Sequence, residues 1–187
     1  MPLPAPVQRE HLHTRTVTVT GYRRVDGLYD LEGHLTDVPS GLYVHDELGP
    51  QPPGTPVHNM WLRLTIDREL AVHAAEAVMD NWPHSLCPNV EPNFKRLVGL
   101  KIGPGWRREI KRRLGGIEGC THLVELLQPI ATTAYQTLYG DLRDQPPAPA
   151  KPGEPKPKPF EIDGCYSWAS DGPMVKQFYP DFYTGDS

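Results

Sequence analysis

The chain has 187 residues, 19 Lys and Arg against 23 Asp and Glu for a formal net charge of −4, 38% hydrophobic residues and 22 prolines. That length holds one domain with a genuine core and falls short of two full domains. The longest apolar stretches, around Leu70 to Ala75 and Leu123 to Leu127, are far below the roughly 20 residues that cross a bilayer, so no membrane partner is expected.

The Pro-rich start, Met1 to Glu10, lacks the basic leader and apolar run of a secretory signal, and export is not expected. Cys87, Cys120 and Cys165 are widely spaced with no Cys-x-x-Cys pair. An odd number of scattered cysteines does not make a disulfide framework and points to a reducing, cytoplasmic setting.

Thr14 to Thr20 alternates threonine with Arg15, Val17 and Val19, the period of a strand. Asp26-Gly27 reads as a hairpin turn into a second strand over Leu28 to Thr36, with Tyr29, Leu31 and Leu35 on one side. Ser40 to Pro56 is broken by proline and glycine and reads as a loop. His58, Met60, Leu62, Leu64 and Ile66 then alternate with polar residues or Trp61, so the even-numbered face of this strand should meet the core. Leu70 to Asn81 suits a helix by its alanines and a strand by its short link to the one before; the strand is preferred.

From Glu91 to Gly115 the pattern is helical, with Phe94, Leu97 and Val98 in one segment and Trp106, Ile110 and Leu114 in the next. A long helix starts near Cys120, with Leu123, Leu127, Ile130, Ala134 and Leu138 in one stripe and Pro129 expected to kink it. Residues 144–159 are rich in proline and lysine and read as a polyproline linker or strap. Cys165 to Trp168 and Met174 to Tyr179 read as a terminal hairpin. The expected fold is therefore α+β: a main domain over 1–143 whose antiparallel sheet is covered on one side by the helices from Glu91 to Gly140, then a linker over 144–159, then a hairpin over 160–187 packing back on the main domain.

Three constellations carry candidate chemistry. Cys120 and His122 open the long helix, where unpaired N–H groups and the helix dipole favour a thiolate. With Cys87 and Cys165 they form a possible tetrahedral zinc set, the alternatives being buried thiols or a cysteine nucleophile with a histidine base. Asp30, Glu32 and His34 share one strand face, with Asp26 and Asp37 at its ends, and His58 on a nearby strand is a candidate to join them as a metal or acid–base group; a solvated outer face is the plainer reading. The stretch from Glu91 to Gly115 concentrates basic residues, Arg107, Arg108, Lys111 and Arg112 among them. An anionic small molecule or an acidic protein is the partner that suits it, and nucleic acid is not expected without aromatic or zinc-finger companions. The chain has no Gly-x-Gly-x-x-Gly, Gly-x-x-x-x-Gly-Lys, His-Glu-x-x-His or Gly-x-Ser-x-Gly motif, which lowers the prior for dinucleotide, triphosphate, zincin and α/β-hydrolase chemistry.

The run Tyr22-Arg23-Arg24-Val25-Asp26-Gly27-Leu28-Tyr29-Asp30-Leu31-Glu32-Gly33-His34-Leu35-Thr36-Asp37, then His58-Asn59-Met60, Cys87 and Gly119-Cys120-Thr121-His122-Leu123-Val124-Glu125-Leu126, resembles an uncharacterised bacterial domain-of-unknown-function family, number 2889, from about Arg15 to Thr137. The family implies no activity. More distantly, the strands ending at Cys87 and the Cys120 helix look like the layout of iron–sulfur scaffold proteins of the NifU and SufE type. That likeness implies a metal held by Cys87 and Cys120. The scaffold pattern places its histidine directly before the last cysteine, whereas here Gly119 precedes Cys120, and a middle cysteine is lacking. The reading that results is a cytoplasmic zinc-binding protein with a Cys/His site; the alternative is an adaptor engaging an anionic partner through its basic helices.

Overall fold

The structure, a computed structural model, describes residues 3–142, 156, 158–159 and 161–185. The chain divides into two units, Met1–Asp144 and Gln145–Ser187. Six strands occupy the first: β1 (His13–Arg23), β2 (Tyr29–Pro39), β3 (Tyr43–His45), β4 (Gly49–Gln51), β5 (His58–Ile66) and β6 (Val72–Asn81). Helices α1 (Trp106–Leu114) and α2 (Thr121–Leu142) follow. Four strands make one antiparallel sheet in the order β1-β2-β5-β6. The unit is α+β, as the sequence pattern implies.

Alternation decides which way each strand faces. Tyr29, Leu31 and Leu35 are buried along β2, as are Met60, Leu62, Leu64 and Ile66 along β5. The register sets Leu31 opposite Leu64 and Leu35 opposite Met60, so the two apolar rows fuse into one inner face. Helix α2 lies on that face and supplies Leu123, Leu126, Leu127, Ile130, Ala134 and Leu138 to the core. Two glycines let it come close. A Cβ on Gly33 would stand 2.8 Å from Ile130 Cδ1, and one on Gly21 would stand 1.9 Å from Thr137 Oγ1.

The hairpin at Asp26-Gly27 forms as the residues suggest: Gly27 has a φ of 85° and Asp26 Oδ1 accepts the Leu28 N–H at 3.3 Å. The preferred strand over Leu70 to Asn81 is β6. Three expectations need correction. Ser40 to Pro56 is not all loop, because β3 and β4 pair as a short ribbon. Its bend is stabilised where the His45 ring nitrogen Nδ1 accepts the N–H groups of Glu47 and Leu48 at 3.1 and 3.2 Å. The helical stretch from Glu91 is a 3₁₀ segment, Cys87–Leu97, with Pro92 inside it, and only α1 within that stretch is an α-helix. Proline removes the N–H that a longer α-helix would use.

The third correction concerns the second unit. Its expected hairpin is instead a succession of short helices: 3₁₀ turns at Tyr166–Trp168 and Pro180–Phe182 flank α3 (Pro173–Phe178). Pro173 occupies the first turn of α3, where its fixed φ suits a helix start and its missing N–H costs nothing. The Trp168 ring meets Phe178 and Tyr179 at centroid distances of 6.1 and 5.5 Å, contacts that close the unit without a strand pair. Most of the expected 144–159 strap lies outside the described residues. Among the described residues no helix is long and apolar enough to cross a membrane.

Candidate metal centre

One end of the sheet's inner face breaks the apolar rule. The register places Arg15 of β1, Asp37 of β2 and His58 of β5 in a single row across three strands. Asp37 continues the odd-numbered face that carries Leu31 and Leu35, and only 2% of it is exposed. His122, in the first turn of α2, descends on the same point: its ring lies 3.7 Å, centroid to centroid, from that of His58.

The polar contacts of the row centre on the Asp37 carboxylate. Arg15 donates from Nε to Oδ1 and from Nη2 to Oδ2, both at 2.8 Å, and its remaining nitrogen Nη1 reaches Glu125 Oε2 at 2.7 Å. His13 Nε2 stands 3.0 Å from Oδ1, and His58 Nδ1 stands 3.0 Å from Oδ2. His122 Nε2 is 3.9 Å from Oδ2, beyond a hydrogen bond but facing it. Asp37, His58 and His122 are the group of His, Cys, Asp and Glu side chains among the described residues whose ligand atoms all lie within 4.8 Å of one another.

The surroundings fix the charge of each member. Burial raises the Asp37 carboxyl pKa, but the Arg15 and His13 hydrogen bonds and the positive charge nearby outweigh it, holding the group well below its ordinary value. Burial, followed by the neighbouring His122 ring, lowers His58 below 6.5 against the opposing pull of Asp37. Burial and the Arg15 charge lower His122 likewise, against Asp37 and Glu125. At neutral pH the group is therefore one carboxylate and two uncharged imidazoles, the protonation states in which these side chains ligate a metal.

The sequence-derived candidates fall in different places. His122 joins Asp37 and His58 rather than a sulfur cage. Cys120 Sγ approaches its far side, 3.9 Å from Nδ1, while Nε2 faces Asp37. Cys87 and Cys120 are half-buried against the core, and Cys165 is an exposed thiol of the second unit. No sulfur belongs to a converging group of three among the described residues. Asp30, Glu32 and His34 do share a face, but it is the outer one, and His58 points to the opposite side of the sheet, so the expected four do not assemble. There Arg24 and Thr65 bind Asp30, Arg63 binds Glu32, and His34 stacks on Trp61 with a centroid distance of 3.7 Å. Arg107, Arg108, Lys111 and Arg112 are exposed on α1; Arg107 bonds Gln128, and Arg112 bonds Glu109.

Sequence reasoning missed His13 and Arg15 as site residues and placed Asp37 only at the end of the acidic row, although a signal was present. Asp37 occupies the core-facing parity of its strand and His58 heads the core-facing parity of its own. A charged or titratable side chain in an apolar row is the anomaly that marks a site. The family model described as a protein of unknown function, DUF2889, matches residues 13–136, and the chain belongs to that family. The match contains His13, Arg15, Asp37, His58 and His122. No curated protein and no solved structure matches the chain, so the comparisons give the iron–sulfur scaffold likeness no support.

Proposed function

We propose that the protein binds a divalent metal, zinc foremost, through Asp37 Oδ2, His58 and His122, in place of the cysteine set suggested by the sequence. The observation that carries this reading is the convergence of the three ligand atoms within 4.8 Å. Two imidazoles and a carboxylate form a borderline donor set suited to zinc and its neighbours in the transition series. Arg15, on both oxygens, and His13, on Oδ1, act as outer-shell partners that hold the carboxylate in place. Three protein ligands leave a tetrahedral ion one position for water or a substrate oxygen, so the site is that of a Lewis acid. The free thiols suit the reducing cytoplasm.

A second reading has its own observation. Arg15 already engages both oxygens of Asp37, so the row equally suits a metal-free latch joining β1, β2 and β5. Metal titration with elemental analysis separates the two. The metal reading expects near-stoichiometric zinc in wild type, lost in His58→Ala and in His122→Ala. A wild-type protein that neither retains zinc nor is stabilised by it leaves the latch. Where zinc binds, free metal at 100 times Kd adds about 2.7 kcal/mol to unfolding stability.

A further inference from the structure

The two edges of the main sheet differ in how they are closed. Along β6 the outward groups are taken: Val72 N–H donates to Leu100 O and Gly99 N–H to Val72 O, both at 2.8 Å, while Met79 N–H donates to Glu91 Oε1 at 2.8 Å. The β5–β6 pairing also carries two register shifts, which twist that edge away from a straight template. Apart from the His11 ring nitrogen, 3.2 Å from the carbonyl oxygen of His13 at its first residue, the β1 edge has none of these devices. Its 11 residues pair with β2 without a register shift and contain neither proline nor lysine. Among the described residues, no backbone bond leaves it on the other side.

The hydrogen-bond pattern shows which groups are left over. Ser40 N–H donates to Leu12 O, and Arg24 N–H to Leu28 O, so the even-numbered residues of β1 bond to β2. The odd-numbered residues, Arg15, Val17, Val19 and Gly21 among them, therefore direct N–H and C=O outward. Val17 and Tyr22 on this strand are 42% and 48% exposed. A row of unmet donors and acceptors beside exposed apolar side chains is a template for another strand.

We infer that β1 pairs antiparallel with β1 of a second copy of this chain, about a two-fold axis through Thr18, joining two four-stranded sheets into one. The register follows from charge and size. Centring on Thr18 sets Val17 against Val19 of the second copy and Thr16 against Thr20, and places Arg15 beside Gly21, which has no side chain. Centring on Val19 would set Arg15 against Arg23, two like charges; centring on Val17 would set Val19 against Arg15. The Thr18 axis carries the apolar contacts of Val19, which already packs on the core, across the junction to Val17 of the second copy. It also makes a ladder of threonine pairs on the outer face. Arg15 and Arg23 are ion-paired within their own copy, with Asp37 and Glu125 and with Asp141. The interface is isologous, and a self-complementary strand satisfies it.

Sedimentation velocity of the full-length protein over a wide concentration range tests this. Wild type is expected to move from monomer to dimer with rising concentration. Thr18→Lys and Thr18→Glu each place like charges face to face on the axis and are expected to remain monomeric. An equimolar mixture of the two variants should recover the dimer, because lysine then meets glutamate. Far-ultraviolet circular dichroism identifies a variant that fails to fold, in which case Thr18→Arg and Thr18→Asp replace the pair. A wild type that stays monomeric at every concentration overturns the inference, as does a dimer indifferent to both charges or a mixture no more associated than its components. None of these readouts depends on metal.

Discussion

Strand β2 carries charged residues on both faces, a row of polar side chains outside and Asp37 alone inside, and they live under different physics. Asp30, Glu32 and His34 project outward, where Arg24, Arg63, Asn59 and Trp61 attend them in the presence of water. Asp37, on the inner parity of the same strand, is held by Arg15, His13 and His58 with almost no solvent contact. Exposed ion pairs have their Coulomb attraction screened and contribute little, whereas a buried carboxylate strands its partner if it is removed. The site therefore follows burial of the carboxylate itself, not the number of acidic residues in a row.

The sharpest way to break the contrast is Asp37→Asn. It leaves Arg15 with Glu125 alone and removes the charge that His13 and His58 also face, and a loss of about 3 kcal/mol is expected in urea unfolding, read at fixed slope. The same residue governs the acid side of the stability curve. Its folded pKa lies below the ordinary 3.8, so its stabilisation is complete above that value and is lost as pH falls toward the folded pKa. His58 and His122 also have folded pKa values below 6.5, so the unfolded chain takes up protons first. Their contribution declines as pH drops beneath 6.5, ahead of the aspartate step. A melting series from pH 8 to pH 3 should show both declines in wild type and a smaller acid-side decline in Asp37→Asn, where Asp67 and other carboxylates with lowered pKa values remain.

Next in size is zinc affinity. His58→Ala and His122→Ala should each weaken it by about 100-fold or more, since outer-shell changes alone cost 10- to 100-fold. His34→Ala, on the other face of the sheet, should leave the calorimetric isotherm unchanged. An equal loss in His34→Ala would move the site to the outer row. A smaller effect tests the support beneath the inner row: Gly33→Ala pushes its new methyl against Ile130. It should cost about 1 to 2 kcal/mol in chemical unfolding and shift α2, reducing zinc affinity as His122 moves. Smallest of all, Glu32→Gln should change stability by no more than about 0.5 kcal/mol, within the range of exposed pairs.

Much of the scaffold was legible in the chain. The alternation in β2 and β5, the Asp26-Gly27 turn and the α2 stripe are local patterns, each set by a period of two or by helical spacing within one segment. The terminal hairpin was misread because Pro173 and Pro180 fit strand-flanking turns and helix starts equally well, and ring packing among Trp168, Phe178 and Tyr179 settled it. The cysteines drew attention by chemical type, while Asp37 appeared only as the end of an acidic run. Its parity, opposite to that of Asp30, Glu32 and His34, was the clue that distinguished it.

The sequence by itself determined which residues of each strand face inward, where α2 begins, and that His122 stands at its first turn, because side-chain direction follows from local periodicity. It could not determine that Arg15, Asp37 and His58, far apart along the chain, form one row, or that His122 comes down upon it. That was decided by strand register and by the close seating of α2 over Gly21 and Gly33, which depend on every pairing in the sheet at once.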